Sequence, residues 1–413
     1  MSVSPAPIYL DNHATTRLDP RVLEAMLPWL TDHYGNAGSV THDLGREARA
    51  AVDSAREAFA AAIGAAAREI VFTSGATESA NLALLGLAAR QTNTDRRGHV
   101  ITIATEHHAV LDPLEHLERT GVAVTRLPVV GQHDGDGIPG RIRLADLEAA
   151  FTPDTWLVSV LLANNEIGVV QDVAAIAEQA HARGAVLHVD CAQAVGRMRV
   201  DVDALGADLA SFSAHKFHGP KGSGALYVRR RGRAVRLEPL VHGGGQERGL
   251  RSGTLDVPAI VGLATAARLA VDGLADDVPS IRGLRDALWT RLVATVPGIA
   301  VNGPGLDATD ARGAAVRLVN NLNVRIPGVD GQSLLAALSA AGLAASSGSA
   351  CSAENPRPSH VLRELGLSDD EARASLRFGL SRFTTAAEID VAADRVAAGV
   401  AELRGLCLRG GAG

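Results

Sequence analysis

The sequence predicts an α/β protein built on a mostly parallel sheet, with a second, smaller α/β region towards the C-terminus. Residues 156–162 and 185–189 are apolar runs of strand length without regular alternation, which is typical of strands buried on both faces. Segments with the length and composition of helices, such as residues 77–90 and 173–183, separate runs of this kind. This alternation predicts a sheet covered by helices on both sides.

The chain has 413 residues, which favours two domains. Strands and helices alternate up to about residue 262, and a long helical stretch follows. We expect residues 17–264 to form a large domain. Residues 1–16 and 265–413 are expected to form the small one.

Composition excludes several functional classes. The net charge is −6, and no long block of like charge occurs, so neither a nucleic-acid surface nor a membrane surface is indicated. No apolar stretch approaches the length of a membrane span, and the N-terminus lacks a secretory signal pattern. The three cysteines, Cys191, Cys351 and Cys407, form neither a disulfide framework nor a paired zinc motif. We expect a cytoplasmic protein.

Residues 208–224 carry the clearest chemical signal. Alternating apolar and small side chains predict a strand that ends at Ser213, and His215 and Lys216 follow. Glycines then predict a turn into a strand at residues 225–228. A lysine amine here can form a Schiff base with an aldehyde, and the hydroxyl and imidazole can hold a phosphate. This combination predicts pyridoxal 5′-phosphate (PLP), whereas a lone lysine would be a surface residue.

A second segment predicts an anion site at the start of a helix. The strand at residues 69–73 leads through Gly75 into a helix that begins near Thr77. Free backbone N–H groups and the helix dipole favour a phosphate there, so Ala76 and Thr77 are candidate ligands. Taken alone, the segment is more simply an N-cap.

Polar residues follow two further predicted strands. His107 comes after residues 99–104, where it can stack on an aromatic ring and transfer protons, or can be an ordinary loop residue. Asn165 comes after residues 156–162, where it can bond a cofactor or cap the turn. Ligands of open α/β sheets bind at the carboxyl ends of the strands, so we expect both residues near Lys216.

Asp190 closes the apolar strand at residues 185–189. A carboxylate is costly in such surroundings unless it is paired with a cation. A protonated pyridine nitrogen would be such a partner, and it would keep the PLP ring an electron sink. The alternative interpretation is an N-cap for the next helix.

Two later segments predict contacts with anionic groups. The glycine-rich residues 242–254 permit close backbone approach, and Thr254 can meet a phosphate, although a glycine-rich loop alone is poor evidence. Arg377 interrupts an apolar, strand-like run. Its planar fork fits a substrate α-carboxylate, and an internal salt bridge is the alternative.

Cys351 lies in a run of small and polar residues, 345–355. Structural cysteines usually have apolar surroundings, so this composition favours an accessible, nucleophilic thiol over an incidental surface cysteine. Cys191 and Cys407 are interpreted as incidental.

Together these motifs resemble the cysteine desulfurases of the NifS/IscS-like group, in the class V aminotransferase family of fold type I PLP enzymes. The resemblance extends from residues 9–16 to residues 383–385. It implies a large domain with a seven-stranded sheet, a small domain that carries the loop around Cys351, and a homodimer.

The resemblance also implies roles for individual residues. The implied cofactor contacts are Ala76, Thr77, His107, Asn165, Asp190, Gln193, Ser213, His215, Lys216 and Thr254. Thr254 would reach the phosphate in the neighbouring subunit, and Gln193 would bond the ring oxygen. Asn36, Asn165 and Arg377 are the implied substrate-binding residues. Lys216, His107 and Cys351 are the implied catalytic residues.

The implied reaction converts L-cysteine to L-alanine. Sulfur passes to Cys351 as a persulfide and then to an acceptor protein, in iron–sulfur cluster assembly or a thiolation pathway. No resident metal is expected, although Cys351 is a candidate transient ligand of an iron–sulfur cluster held with a partner. The alternatives are another class V enzyme (an aminotransferase, a C–S lyase or a selenocysteine lyase) and a non-catalytic scaffold. The loops at residues 131–140 and 303–312 are longer than the family pattern.

Overall fold

The computed structural model describes residues 7–91, 98–347 and 358–410. The strands in this part of the chain are β1 (Ile8–Tyr9), β2 (Ile70–Thr73), β3 (His99–Ile103), β4 (Ala123–Leu127), β5 (Thr155–Leu161), β6 (Val186–Asp190), β7 (Leu209–Ser213), β8 (Gly224–Val228), β9 (Ala300–Val301), β10 (Asn321–Arg325), β11 (Leu343–Ala344) and β12 (Ser375–Gly379). The helices are α1 (Pro20–Thr31), α2 (Asp43–Ala62), α3 (Ala76–Gln91), α4 (His108–Arg119), α5 (Leu144–Ala150), α6 (Val173–Ala182), α7 (Val257–Asp272), α8 (Leu274–Thr295), α9 (Gly331–Ala340), α10 (His360–Glu364), α11 (Asp369–Arg373) and α12 (Ala386–Gly410).

The large sheet has seven strands in the order β2-β8-β7-β6-β5-β3-β4. Only β8 runs antiparallel to its neighbours β2 and β7. Every residue of β3, β7 and β8 is buried, because helices cover both faces of the sheet, and this explains the continuous apolar runs. The predicted fold class, a mostly parallel seven-stranded sheet flanked by helices, is confirmed.

The strand order reverses between β3 and β5. From β3 the chain passes to β4 on one side and then returns to place β5 on the other side. A crevice opens at such a reversal, beyond the carboxyl ends of the strands, and ligands of open α/β sheets bind there. His107 follows β3 and Asn165 follows β5, so the topology places both at this crevice.

A second group of elements surrounds the antiparallel sheet β12-β10-β9 and the parallel pair β1-β11. Its core includes Leu322 on β10, Phe378 on β12 and Leu288 on α8, and Leu10 of the N-terminal segment joins it. The predicted smaller α/β region is therefore present. The domain boundaries, 17–264 against 1–16 with 265–413, stay a prediction.

The two long loops contact each other. Gly303 donates its backbone N–H to Gln132 Oε1 at 2.6 Å, and Arg141 lies 3.6 Å from Asp310.

No single helix of the described residues has the length and apolar composition of a membrane span, although α7 and α8, bent by 74° at their junction, pass that test as a pair.

Candidate active site

A cavity of about 430 Å³ lies at the carboxyl ends of the large sheet. Most of the residues predicted to bind PLP line it: Ala76, Thr77, His107, Asn165, Asp190, Gln193, Ser213, His215 and Lys216. They come from the ends of β2, β3, β5, β6 and β7, which meet at one edge of the sheet. The fold therefore brings together positions that are up to 140 residues apart in the sequence.

Lys216 ends a short 3-10 turn, Ala214–Lys216, that follows β7 directly. Its Nζ donates to the backbone carbonyls of His13 at 2.6 Å and Ala14 at 3.0 Å. The chain then turns back closely against Ala214. Glycine is required at position 219 of this turn, because a Cβ there would lie 2.8 Å from the Ala214 Cβ. The N-terminal segment thus holds the lysine amine at the cavity through main-chain oxygens.

The start of α3 forms a cradle for an anion. Gly75 has φ +153°, and a Cβ on it would point towards the Ser213 hydroxyl, 3.6 Å from its Oγ. That Cβ would occupy the space between the start of α3 and Ser213. Gly224 must also lack a side chain, because its Cβ would lie 2.5 Å from the Gly75 Cα. The open N–H groups of the first turn of α3 and the Ser213 hydroxyl together suit a phosphate.

His215 lies beside this cradle. Its Nδ1 is 3.1 Å from the Thr15 hydroxyl, and burial together with the charge of Lys216 lowers the pKa of His215 to about 4. The imidazole is therefore neutral at pH 7 and offers one N–H donor.

Asp190 ends β6 in a fully buried position. Its carboxylate accepts one hydrogen bond, from the Ala192 N–H at 2.8 Å. Burial raises the pKa of Asp190, and the charge of Lys216 opposes that shift. A carboxylate in this environment is stabilised by a cation in the cavity, which is what a protonated pyridine nitrogen provides.

His107 caps α4 through its Nδ1, which accepts from the Ala109 N–H at 3.0 Å. Because that atom accepts, the neutral ring carries its proton on Nε2. Burial, and then the charge of Lys216, lowers the pKa of His107 to about 4. At neutral pH the residue therefore lines the cavity as an uncharged ring.

Arg377 lies on β12 and is almost completely buried. It donates to the Asn165 carbonyl at 3.0 Å and to Asp11 Oδ1 at 2.8 Å. The internal salt bridge that the sequence left as an alternative is therefore present. Arg377 does not line the cavity itself, but it is bonded to the main chain of Asn165, which does.

Among the described residues, Arg377, Thr254 and Asn36 are predicted site residues that do not line this cavity. Thr254 and Asn36 are exposed, and neither lines it. The Asn36 side chain accepts from the Gly38 N–H at 2.8 Å, so it forms a local turn. Cys351 lies outside the described residues.

Sequence reasoning missed two buried residues beside the cavity. His13, in the conspicuous segment 9–16, bonds Gln193 through its ring at 3.0 Å. Glu106 precedes His107, and its carboxyl accepts from the Leu161 N–H at 2.5 Å. Burial, and then the nearby Asp190, raise the pKa of Glu106 well above its ordinary value, which favours its neutral form. The position of Glu106, a polar residue just after the predicted strand 99–104, could have marked it as a candidate site residue.

The sheet topology, the lysine at a strand end, the buried aspartate and the anion cradle define a PLP enzyme. The chain belongs to the class V aminotransferase family: the family model described as "Aminotransferase class-V" matches residues 8–391. Members of this family depend on PLP, and the residues of the cavity fit that cofactor.

Individual relatives agree with this assignment. The chain is 48% identical over 402 residues to the cysteine desulfurase IscS of Escherichia coli O139:H28, covering 97% of this chain and 94% of the relative. A solved "NifS-like protein" superposes with a TM-score of 0.84 at 36% identity, covering 95% of this chain and 98% of that one. The solved structure titled "SspA in complex with cysteine" has a TM-score of 0.75 at 34% identity, covering 91% and 99%.

Proposed function

We propose that this chain is a PLP-dependent cysteine desulfurase. It converts L-cysteine to L-alanine and passes the sulfur to Cys351 as a persulfide. The observation that carries the proposal is the cavity in which Lys216, Asp190 and the start of α3 meet. The similarity to IscS over 97% of the chain, and the cysteine-bound relative SspA, support cysteine as the substrate.

When bound, PLP supplies an electron sink that eases bond breaking at the α- and β-carbons of the substrate. With PLP bound, Asp190 would keep the ring nitrogen protonated, and His107 would offer an uncharged imidazole to the ring. The start of α3, with Ser213 and His215, holds the phosphate. Lys216 would hold the cofactor through its amine, and the same amine would serve as the base that removes the substrate α-proton.

Binding of the substrate carboxylate is assigned to Arg377 with Asn165 and Asn36. Arg377 bonds Asp11 with one terminal nitrogen and the Asn165 carbonyl with the other. A carboxylate that binds there shares the guanidinium with Asp11, so the substrate meets a cation already fixed in place.

Sulfur transfer takes place at the Cys351 thiolate. The thiolate attacks the substrate sulfur, a sulfur–sulfur bond forms, and the carbon–sulfur bond breaks. The electron pair of the broken bond goes to the β-carbon, which takes up a proton and becomes the methyl group of alanine. The persulfide then passes its outer sulfur to an acceptor protein, in iron–sulfur cluster assembly or a thiolation pathway.

We also propose that the enzyme is a cytoplasmic homodimer. Leu23, Leu27 and Leu30 form an exposed apolar stripe along α1, and Tyr34 and Val40 beyond its end are 72% and 68% exposed. A contiguous apolar surface of this kind favours a protein interface. Thr254 is exposed and outside the cavity of its own chain, which supports its assignment to the phosphate of the neighbouring subunit.

The experiment that tests this function compares two cysteine variants. Cys351→Ala is expected to retain the visible absorbance of bound PLP and to lose persulfide formation and sulfur transfer. Cys191→Ala is the matched control, because Cys191 is buried and burial raises its pKa well above that of an ordinary thiol. Undiminished alanine and sulfide production with a protein acceptor in Cys351→Ala would contradict the proposal.

A further inference from the structure

His13 is a buried histidine that connects three other residues. Its Nδ1 lies 3.0 Å from Gln193 Oε1, and its Nε2 lies 3.2 Å from Asn321 Nδ2. Its backbone carbonyl accepts from Lys216 Nζ at 2.6 Å and from Gln193 Nε2 at 3.0 Å. The residue therefore contacts both the lysine and the amide that are assigned to PLP.

The neighbours of His13 fix where its proton lies. Arg317 can only donate, and its Nη2 is 2.8 Å from Asn321 Oδ1. The other end of that amide is therefore Nδ2, which donates to the Glu166 carbonyl at 2.9 Å and to His13 Nε2. Since His13 Nε2 accepts, the ring proton is on Nδ1 and is donated to Gln193.

This proton in turn fixes the orientation of the Gln193 amide. Gln193 Oε1 accepts from the ring, and Nε2 donates to the His13 carbonyl. A flipped amide would place oxygen against the carbonyl oxygen and N–H against the ring N–H. Only one orientation satisfies both contacts, and it leaves the second Nε2 hydrogen without a partner among the described residues.

We propose that His13 is a positioning residue that makes Gln193 present an N–H, and not an oxygen, to the ring oxygen of PLP. Gln193 lines the cavity, and the proposal rests on its assignment to that ring oxygen. A hydrogen-bond donor stabilises the ionised form of the oxygen. His13 would therefore influence the protonation state of bound PLP without touching the cofactor.

The surroundings keep His13 in the required neutral form. Burial lowers its pKa well below the ordinary value, and the charges of Arg377, Arg197 and Lys216 lower it further, against the effect of the bond to Gln193. Protonation of Nε2 would also set one N–H against the Asn321 N–H. The arrangement is therefore favoured at neutral pH.

The test uses two isosteric variants of His13. In His13→Asn the side-chain amide reaches the position of ring Nδ1 and can still donate to Gln193. In His13→Gln it reaches the position of Nε2, so it keeps the contact with Asn321 and loses the one with Gln193. Gln193→Leu is the reference for the loss of the donor. The readout is the ratio of the two visible bands of bound PLP, which differ by one proton, at one fixed pH.

We expect His13→Gln and Gln193→Leu to change the ratio in the same direction, each by at least about threefold, which corresponds to about half a pKa unit. The double variant His13→Gln with Gln193→Leu should have the same band ratio as Gln193→Leu alone. His13→Asn should have the wild-type ratio. Equal spectra for the two His13 variants, or an unchanged ratio in Gln193→Leu, would overturn the proposal. Alanine formation by the wild type tests the proposed function separately.

A second variant serves if His13→Gln does not fold. In Asn321→Asp a carboxylate replaces the donor that faces His13 Nε2, so the ring proton is drawn away from Gln193. The band ratio is then expected to change as in Gln193→Leu. A wild-type ratio in a folded Asn321→Asp protein whose His13 ring carries a single proton by NMR would contradict the proposal equally.

Discussion

The cavity at the large sheet and the exposed residues Asn36 and Thr254 are assigned to one active site, yet they are placed differently in the chain. Lys216, Asp190 and His107 lie at or just after strand ends of a single chain, and each is held by a hydrogen bond to a main-chain atom. Asn36 and Thr254 are exposed and lie outside the cavity. The apolar stripe on α1 is exposed as well.

The difference indicates where the second subunit of the proposed dimer would contribute. One chain supplies the lysine, the aspartate and the start of α3 with Ser213 and His215, and under the proposal only Thr254 would reach the phosphate from a partner subunit. In the proposed dimer, the exposed Thr254 would act on the neighbouring subunit, so full turnover would depend on the partner. Loss of the dimer should therefore leave cofactor binding largely intact and reduce turnover.

The largest effect is expected from Lys216→Ala. This change removes the amine that holds PLP and moves the α-proton, so alanine formation should fall by at least about a thousandfold and the visible band should disappear. Absorbance and alanine production measure the two results. A variant that keeps the band would show that another amine holds the cofactor.

Asp190→Asn is expected to have the next largest effect. The amide keeps the shape and can still accept from the Ala192 N–H, but it cannot pair with a charged ring nitrogen. Turnover should fall by about a hundredfold or more, since the electrostatic support is lost at the reacting centre. Steady-state kinetics and PLP titration check this, and wild-type turnover would remove Asp190 from the site.

The double variant Leu27→Arg with Leu30→Arg tests the comparison directly. Two cations on the apolar stripe should give a monomer by analytical ultracentrifugation. That monomer should keep the visible PLP band and lose at least about tenfold of its turnover, because partner residues are missing. Val391→Arg, at an exposed apolar position on α12, is the matched control. A fully active monomer would contradict the division of the site.

The smallest effect concerns stability at acid pH. His188 is buried between Ser159 and Ser211, with both ring nitrogens 2.8 Å from hydroxyls, and burial lowers its pKa to about 3. Between pH 6.5 and 3 the unfolded chain binds a proton that the folded chain does not, so stability falls as the pH falls.

In His188→Asn this loss is absent. Between pH 7 and pH 5 the free energy of unfolding should therefore decrease by about 2 kcal/mol less than in the wild type, although the variant starts from a lower value because two hydrogen bonds are altered. Urea unfolding at both pH values measures the difference. An equal decrease in both proteins would show that His188 is not held neutral.

Much of the cavity could be predicted from the sequence because its residues obey a local rule. His107, Asn165, Asp190 and Lys216 each follow an apolar run of strand length, and parallel strands bring their carboxyl ends to one edge. The reversal between β3 and β5 could not be predicted from such runs, since they do not reveal strand order.

Contacts between distant segments could not be predicted either. The His13–Gln193 bond joins residues 180 positions apart, and the Arg377–Asp11 pair joins residues 366 positions apart. Both depend on the N-terminal segment lying across the cavity, which no local pattern encodes. The role of Cys351 came from composition and the family resemblance, and it stays a prediction.

The central claim is that sulfur leaves cysteine at the Lys216 site and arrives on Cys351. The most direct test incubates the protein with L-cysteine carrying isotopically labelled sulfur and then analyses the peptide that contains Cys351 by mass spectrometry. We predict one labelled sulfur atom on Cys351 in the wild type and none in Lys216→Ala. Labelled sulfide and alanine formed without any label on Cys351 would contradict the account.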